Sequence, residues 1–322
     1  MALLFCDGFD HYTIGDMPTK YIDAGANSIS SPGRNGTGYC VRFNNSRAYT
    51  AIGSKTTLVV GFGIKLYTAY SGILYRFCEG DTTHVDLRID SSQRLYVTRN
   101  GTTLGSVSTV PLRINVWEHV QIKVFINDST GTVEVKINSV SVISLTGQDT
   151  QNGLTGVITK AGLYCNTDCA FYDDYWIDDA DFLGDCIIET KFPNGAGDTT
   201  EWTPSTGSNY ACVDEVNQNG DTDYVSSGTA GQVDTYAFAD LLTSAGSVKG
   251  VQANVWARKD DGGTRQIALV ARPVSTDRVG ASKDMALTYA YYRETFALNP
   301  ETGAPWTIAE VNAAKFGVKL VS

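Results

Sequence analysis

Apolar residues recur at every second position along most of this chain. Leu58, Val60, Phe62, Ile64 and Leu66 share one parity, and Val85, Leu87 and Ile89 share another, with Asp86, Arg88 and Asp90 on the opposite side. Alternation with period two marks strands that have one buried and one wet face. Leu95 and Val97 lead into Asn100-Gly101, a pair that tolerates positive φ and so favours a tight hairpin. Val120, Ile122, Val124 and Ile126 face one way, Asn127 to Gly131 turn, and Val133, Val135 and Ile137 return. Asn138-Ser139 then turns into Val140 and Val142, which predicts an antiparallel meander. His119 falls on the polar parity of its strand, so the pattern predicts a surface-facing imidazole.

A further strand is predicted near Ala170 to Ile177, and the texture changes near Leu183. The stretch from Pro193 to Gly231 is rich in Gly, Asn, Asp, Pro and Thr and predicts ordered loop. A hairpin is expected between Val248–Arg258 and Gln266–Arg272, turning at Asp260-Asp261-Gly262-Gly263, followed by a strand from Ala286 to Phe296. Thr307 with Glu310 three residues on forms a capping box for one short helix, and Gly317 reads as its left-handed stop before a last strand at Val318 to Val321. The expected fold is all-β: two antiparallel β-sandwich domains of jelly-roll type, residues 1–183 and 184–322, with one short helix near the C-terminus.

Composition narrows the chemistry. With 322 residues, 42% hydrophobic and 11% aromatic, the chain has enough apolar surface for two cores, which excludes disorder. Basic residues number 25 against 35 acidic ones, a net charge of −10 with no Lys or Arg run, so a nucleic-acid partner is not expected. The run from Leu58 to Ile64 is far too short to cross a membrane as a helix, and the opening Met1-Ala2-Leu3-Leu4-Phe5-Cys6 lacks a basic start, so membrane insertion and export are not expected. The seven cysteines are an odd set, and Cys165 and Cys169, four apart, leave three readings open: a zinc site, a disulfide or two free thiols.

No G-x-S-x-G elbow, Walker A loop or dinucleotide-binding glycine motif occurs, and His11, His84 and His119 are far apart. The acidic stretch holds Asp168, Asp173, Asp174, Asp178, Asp179 and Asp181. Strict alternation puts Asp173 with Phe171, Tyr175 and Ile177, and Asp174 with Tyr172, Trp176 and Asp178, so one carboxylate must face an apolar layer. Such a group needs hydrogen bonds or a cation such as calcium; the alternative is a solvated strand end. Asn217 to Asp223 alternates oxygen side chains like a calcium loop but lacks its terminal Glu, and reads as a polar turn.

Asn115-Val116-Trp117-Glu118-His119-Val120-Gln121-Ile122 with its return Thr132 to Asn138 resembles the Trp-x-His hairpin of concanavalin-like (LamG type) jelly-roll domains. Phe171 to Asp178 resembles their closing strand, and Asp7-Gly8-Phe9-Asp10 their opening. That resemblance implies a structural calcium held by Asp7 with Asp173 or Asp174. The paired carboxylates of the hydrolases of this fold are missing around Glu79, Glu118 and Glu134, which disfavours glycoside hydrolysis.

The second half is similar to a segment of tailed-bacteriophage proteins. The matching stretches include Phe182 to Asp185, Glu201-Trp202-Thr203-Pro204, Asn209 to Glu215, Asp221 to Val225, Val255 to Asp260 and Trp306 to Asn312. This implies a non-enzymatic structural component of a phage particle, at the head, neck or tail, assembled in the host cytoplasm with other virion proteins and as a homo-oligomer. The alternative is a carbohydrate-binding module for host surface glycans, with Tyr67, Tyr70, Tyr75 and Trp176 as the aromatic candidates.

Overall fold

The computed structural model describes residues 2–25 and 28–322, which form two compact units, Met1–Ile188 and Glu189–Ser322. The chain is all-β, with short helices only. The sequence reading put the boundary at Leu183. The chain leaves the first unit later because residues beyond Leu183 are still tied to it. Gly184 N–H donates to the Gln121 amide oxygen at 3.1 Å, and Ile188 N–H donates to the Asp174 carboxylate at 2.8 Å.

The first unit is a sandwich of two antiparallel sheets. One runs in the order Val140–Gln148, Gly131–Ile137, Glu118–Phe125, Thr57–Leu66, Ala170–Asp178, Cys40–Phe43, Ser28–Ser30, and Leu3–Asp7 also pairs with Ala170–Asp178. The other runs Thr102–Leu104, Leu95–Arg99, Thr82–Ile89, Gly72–Glu79, Ile158–Cys165, Ser46–Lys55, Asp23–Ala24. Residues of one parity from each strand meet between the sheets and leave water together, the main favourable term in closing the sandwich. Phe62 stacks on Tyr75 with ring centroids 5.9 Å apart, and the Tyr75 and Tyr175 hydroxyls are 2.6 Å apart. The predicted hairpin turns form: Asn100 and Gly101 have φ of 45° and 83°, and Asn138 and Ser139 have φ of 46° and 70°. Both suit a two-residue turn whose twist matches that of its strands.

The closing strand does not alternate strictly. Asp174 has φ 48° and is the extra residue of a bulge: Asp173 pairs with Gly63 and Trp176 with Gly61. One inserted residue resets the parity. Tyr172 and Tyr175 therefore both point into the core, and neither Asp173 nor Asp174 faces the apolar layer that strict alternation demands.

The second unit has a six-stranded sheet ordered Pro193–Thr200, Val233–Phe238, Lys315–Leu320, Gln266–Arg272, Arg278–Val279, with Lys283–Asp284 also on Gln266–Arg272. A ribbon of Val251–Ala257 and Ala290–Phe296 covers it. Val251, Ala253, Val255, Ala257 and Tyr292 of the ribbon pack on the sheet residues Ile267, Ala271, Phe316, Val318 and Leu320. The expected hairpin of Val248–Arg258 with Gln266–Arg272 is thus replaced: the first of these strands pairs with Ala290–Phe296, and the second with Lys315–Leu320. Pro193–Thr200 is a strand on Val233–Phe238 rather than loop; its small residues let the backbones approach, and a Cβ at Gly197 would collide with Thr235. The helix is Ile308–Ala313 with the Thr307–Glu310 capping box in place. Gly317 is not its stop but a strand residue, where a Cβ would run into the Asp234 carbonyl.

Candidate functional site

The register of the second sheet of the first unit builds one polar and aromatic face. Val85, Leu87 and Ile89 turn inward, so Asp86 and Arg88 turn outward, and the same alternation turns out Tyr96, Arg76, Lys160, Gly162, Tyr164, Arg47 and Tyr49. Cross-strand pairing sets Tyr96 beside Arg88, and Asp86, Arg76, Gly162 and Tyr49 in a row across four strands. Gly162 is needed there, because a Cβ would strike the Ala48 carbonyl, and its absence lets Arg76 and Tyr49 close over the strand.

Asp86 organises the face. Its carboxylate accepts from Arg76 Nε at 2.7 Å and lies 3.5 Å from Arg88 Nη1, while Arg88 Nε donates to the Tyr96 hydroxyl at 3.2 Å. The Arg76 guanidinium also covers the Tyr164 ring at 4.8 Å, and the Lys160 ammonium lies 5.3 Å from the Tyr49 ring centroid. Tyr49 is only 4% exposed, and burial lifts its phenol above the ordinary range, so it stays neutral. Desolvation pulls the Arg76 guanidinium down but the bond to Asp86 more than offsets it, so its pKa rises. Arg47, Arg76, Arg88 and Lys160 thus gather on one face of a chain of net charge −10, paired with Asp23, Asp86 and Asp81 but half-exposed.

The residues singled out by sequence lie elsewhere. Tyr75 is fully buried between the sheets, and Tyr70, 5% exposed, is spent on the Ile73 carbonyl and Asn166. Trp176 points out of the first sheet, over Gly61, but is only 1% exposed. These three are corrected: none offers a ring face to a sugar. Tyr67 remains half-buried, leaning on Phe171 with centroids 5.3 Å apart beneath the Arg42 guanidinium. His119 is also corrected from surface to buried, stacked on Trp176 at 6.3 Å near Asp185 and Arg34. The segment after Phe182 passes over this face and covers what alternation alone leaves wet. Burial holds the His119 imidazole down at about 4.

The calcium expected at Asp7 with Asp173 or Asp174 does not fit these side chains. Asp7 accepts from Phe9 N–H at 2.9 Å, from the Tyr12 hydroxyl at 2.7 Å and from the Tyr21 hydroxyl at 2.5 Å, and it pairs with Lys20 Nζ at 2.9 Å. Burial alone would raise its pKa, but Lys20, His11 and the two hydroxyls hold it below the ordinary value. Its charge is already matched. Asp174 pairs with Arg34, and Asp173 accepts the Arg34 and Asp174 backbone N–H groups at 2.7 Å each. Burial, then Asp174, pushes Asp173 up to about 8. Among the described residues no group of three or more His, Cys, Asp or Glu is placed to hold a metal. Of the rest of the acidic stretch, Asp168 pairs with Arg42, Asp179 with Lys55 and Asp181 with Lys123, while the buried Asp178 accepts the Ala180 and Asp181 N–H groups at 2.7 and 3.1 Å. In the Asn217 to Asp223 turn, Asp221 pairs with Arg258 and Asp223 with the Asn219 amide.

No helix among the described residues is long and apolar enough to cross a membrane. No family model matches the chain, and no curated protein matches it. Solved structures similar to it include a cellulose-induced protein, Cip1, at 13% identity over 51% of this chain and 89% of that one, with a TM-score of 0.39. Alginate lyase Aly36B is 14% identical over 53% of this chain and 92% of that one, with a TM-score of 0.37. Trypanosoma rangeli sialidase is 12% identical over 49% of this chain and 27% of that one, with a TM-score of 0.36. The expectations of a non-enzymatic tailed-phage component and of a chain without enzymatic activity are corrected here: the structures that it is similar to bear the names of a cellulose-induced protein, a lyase and a sialidase.

Proposed function

We propose that the first unit binds carbohydrate on the outer face of its second sheet, and that the carbohydrate is acidic. The observation that carries this reading is the cross-strand array of the half-buried Tyr96 and Tyr164 with Arg76, Arg88 and Lys160 on one face. Tyrosine rings present an apolar face to sugar C–H groups and a hydroxyl at the rim, and arginine forks match carboxylates. The cations stand out against an acidic chain, which favours an anionic ligand at this face over elsewhere. Asp86 holds two of them in place.

The test is titration calorimetry of the full chain with hexuronate oligosaccharides and with neutral hexose oligosaccharides of equal length. Acidic oligomers should bind at least about ten-fold more tightly, with affinity falling as salt rises. Tyr164→Ala and Lys160→Ala should each weaken binding, and Lys123→Ala on the other sheet should not. The same samples are assayed for new chain ends, which tells whether the face processes the glycan as well as holding it. Equal affinity for both sugars, or none for either, would overturn the proposal.

A further inference from the structure

We infer that Cys165 and Cys169 close into a disulfide when the chain folds in the presence of a disulfide oxidant such as glutathione disulfide. The two sulfurs already lie 2.8 Å apart at the two ends of a three-residue tip, Asn166-Thr167-Asp168. That is closer than non-bonded sulfurs ordinarily rest and under 1 Å from the roughly 2.05 Å of a disulfide, a gap within reach of a small side-chain rotation.

The tip is held from both sides, which keeps the thiols together. Asn166 N–H donates to the Tyr70 hydroxyl at 2.9 Å, the Asn166 side-chain oxygen accepts from Ile73 N–H at 3.0 Å, and Tyr67 N–H donates to the Cys169 carbonyl at 3.0 Å. Cys165 is 0% and Cys169 1% exposed, so the oxidant reaches them before the tip docks, and the finished bond is then shielded from reductant. Other thiols have their own partners: Cys40 lies on the Ser30 carbonyl, Cys78 beside Thr83 and Cys212 on the Thr206 carbonyl.

The chemistry is two exchanges. The Cys165 thiolate attacks one sulfur of glutathione disulfide and expels a glutathione thiolate; the Cys169 thiolate then attacks the Cys165 sulfur and expels the second. Two cysteines are oxidised, one glutathione disulfide is reduced to two thiols, and the two cysteine protons end on those thiols.

The experiment refolds the full chain from denaturant in equimolar reduced and oxidised glutathione, quenches with acid, alkylates under denaturing conditions and maps peptides by mass. The Cys165–Cys169 bond should exceed the dithiol by about ten-fold or more, and folded protein should resist added reductant about ten-fold longer than denatured protein. Cys165→Ser should leave Cys169 alkylated or glutathionylated, while Cys40→Ser should leave the 165–169 bond intact. Alkylation of both cysteines in refolded wild-type protein, or pairing of either with another cysteine, would overturn the inference. Since the wild-type map decides alone, a variant that fails to fold does not blur the outcome.

Discussion

Replacing Lys20 by Met cuts one side of a fully buried ion pair. The Lys20 ammonium and Asp7 carboxylate are both 0% exposed and 2.9 Å apart, an attraction of about 6 kcal/mol at an effective dielectric of 20. The net loss is smaller, because desolving the lysine is no longer required and Asp7 keeps Phe9 N–H and the Tyr12 and Tyr21 hydroxyls. Removing one partner of such a pair typically costs about 3–5 kcal/mol, since the other charge stays buried. Lys20 also lies 4.8 Å from the Tyr12 ring centroid, a contact that Met only partly replaces. We expect Lys20→Met to lose about 3–4 kcal/mol at pH 7, in urea unfolding read by hydrogen exchange in peptides of Leu3–Asp7 and Ala170–Asp178. The wild-type Asp7 pKa is depressed, so its contribution is present at neutral pH and lost only as pH falls through that low folded value. In the variant the carboxyl rises and takes up a proton in mild acid, so the gap between variant and wild type narrows there. Adding Asp7→Asn to Lys20→Met should recover part of the loss. A loss below about 1 kcal/mol, or one that does not shrink in acid, would refute the reading of Lys20 and Asp7 as a buried pair of matched charges.

Other predictions are briefer. His119 has a folded pKa of about 4, below the unfolded value of about 6.5, so stability should fall as pH drops through that window, and His119→Gln should flatten the slope of unfolding free energy against pH. Asp173 stands at about 8, above its unfolded value, so stability should fall as pH rises from about 4 to 8, and Asp173→Asn should lessen that decline at a pH-independent cost. Gly162→Ala should push Ile158–Cys165 away from Ser46–Lys55 and lower the melting temperature, measured by calorimetry. Thr307→Ala removes the oxygen that accepts Glu310 N–H, costing about 1 kcal/mol and speeding amide exchange in Ile308–Ala313.

Local rules were legible in the sequence, and long-range covering was not. Hairpins at Asn100-Gly101 and Asn138-Ser139 are set by residues that accept positive φ, and the Thr307 cap by a spacing of three, so both could be read from a few neighbours. Partner choice across many residues could not: Val251–Ala257 and Gln266–Arg272 lie close in sequence yet pair with strands further along, because each buries its apolar face better there. His119 and Trp176 show the same limit, since parity says which way a side chain points but not that the segment after Phe182 lies over it. The candidate site was half legible. The outward Asp86 and Arg88 were visible as the polar phase of their strand, but only the sheet order brings them to Arg76, Lys160 and Tyr164. Of the aromatic candidates, Tyr75 belongs to the core, Tyr70 holds the turn at Asn166, and Trp176 lies on a face that the segment after Phe182 covers.

The extra residue at Asp174 divides the closing strand into two halves of opposite phase. A period-two strand that slips by one place exchanges its inner and outer residues. Here such a slip could satisfy at most one half at a time: with Ala170 to Asp173 in step, Tyr175 would face out and Trp176 would be driven between the sheets. The bulge therefore sets the phase of the chain that fills the centre of the sheet: it lets Tyr172 and Tyr175 share the core while Trp176 stays on the outer face.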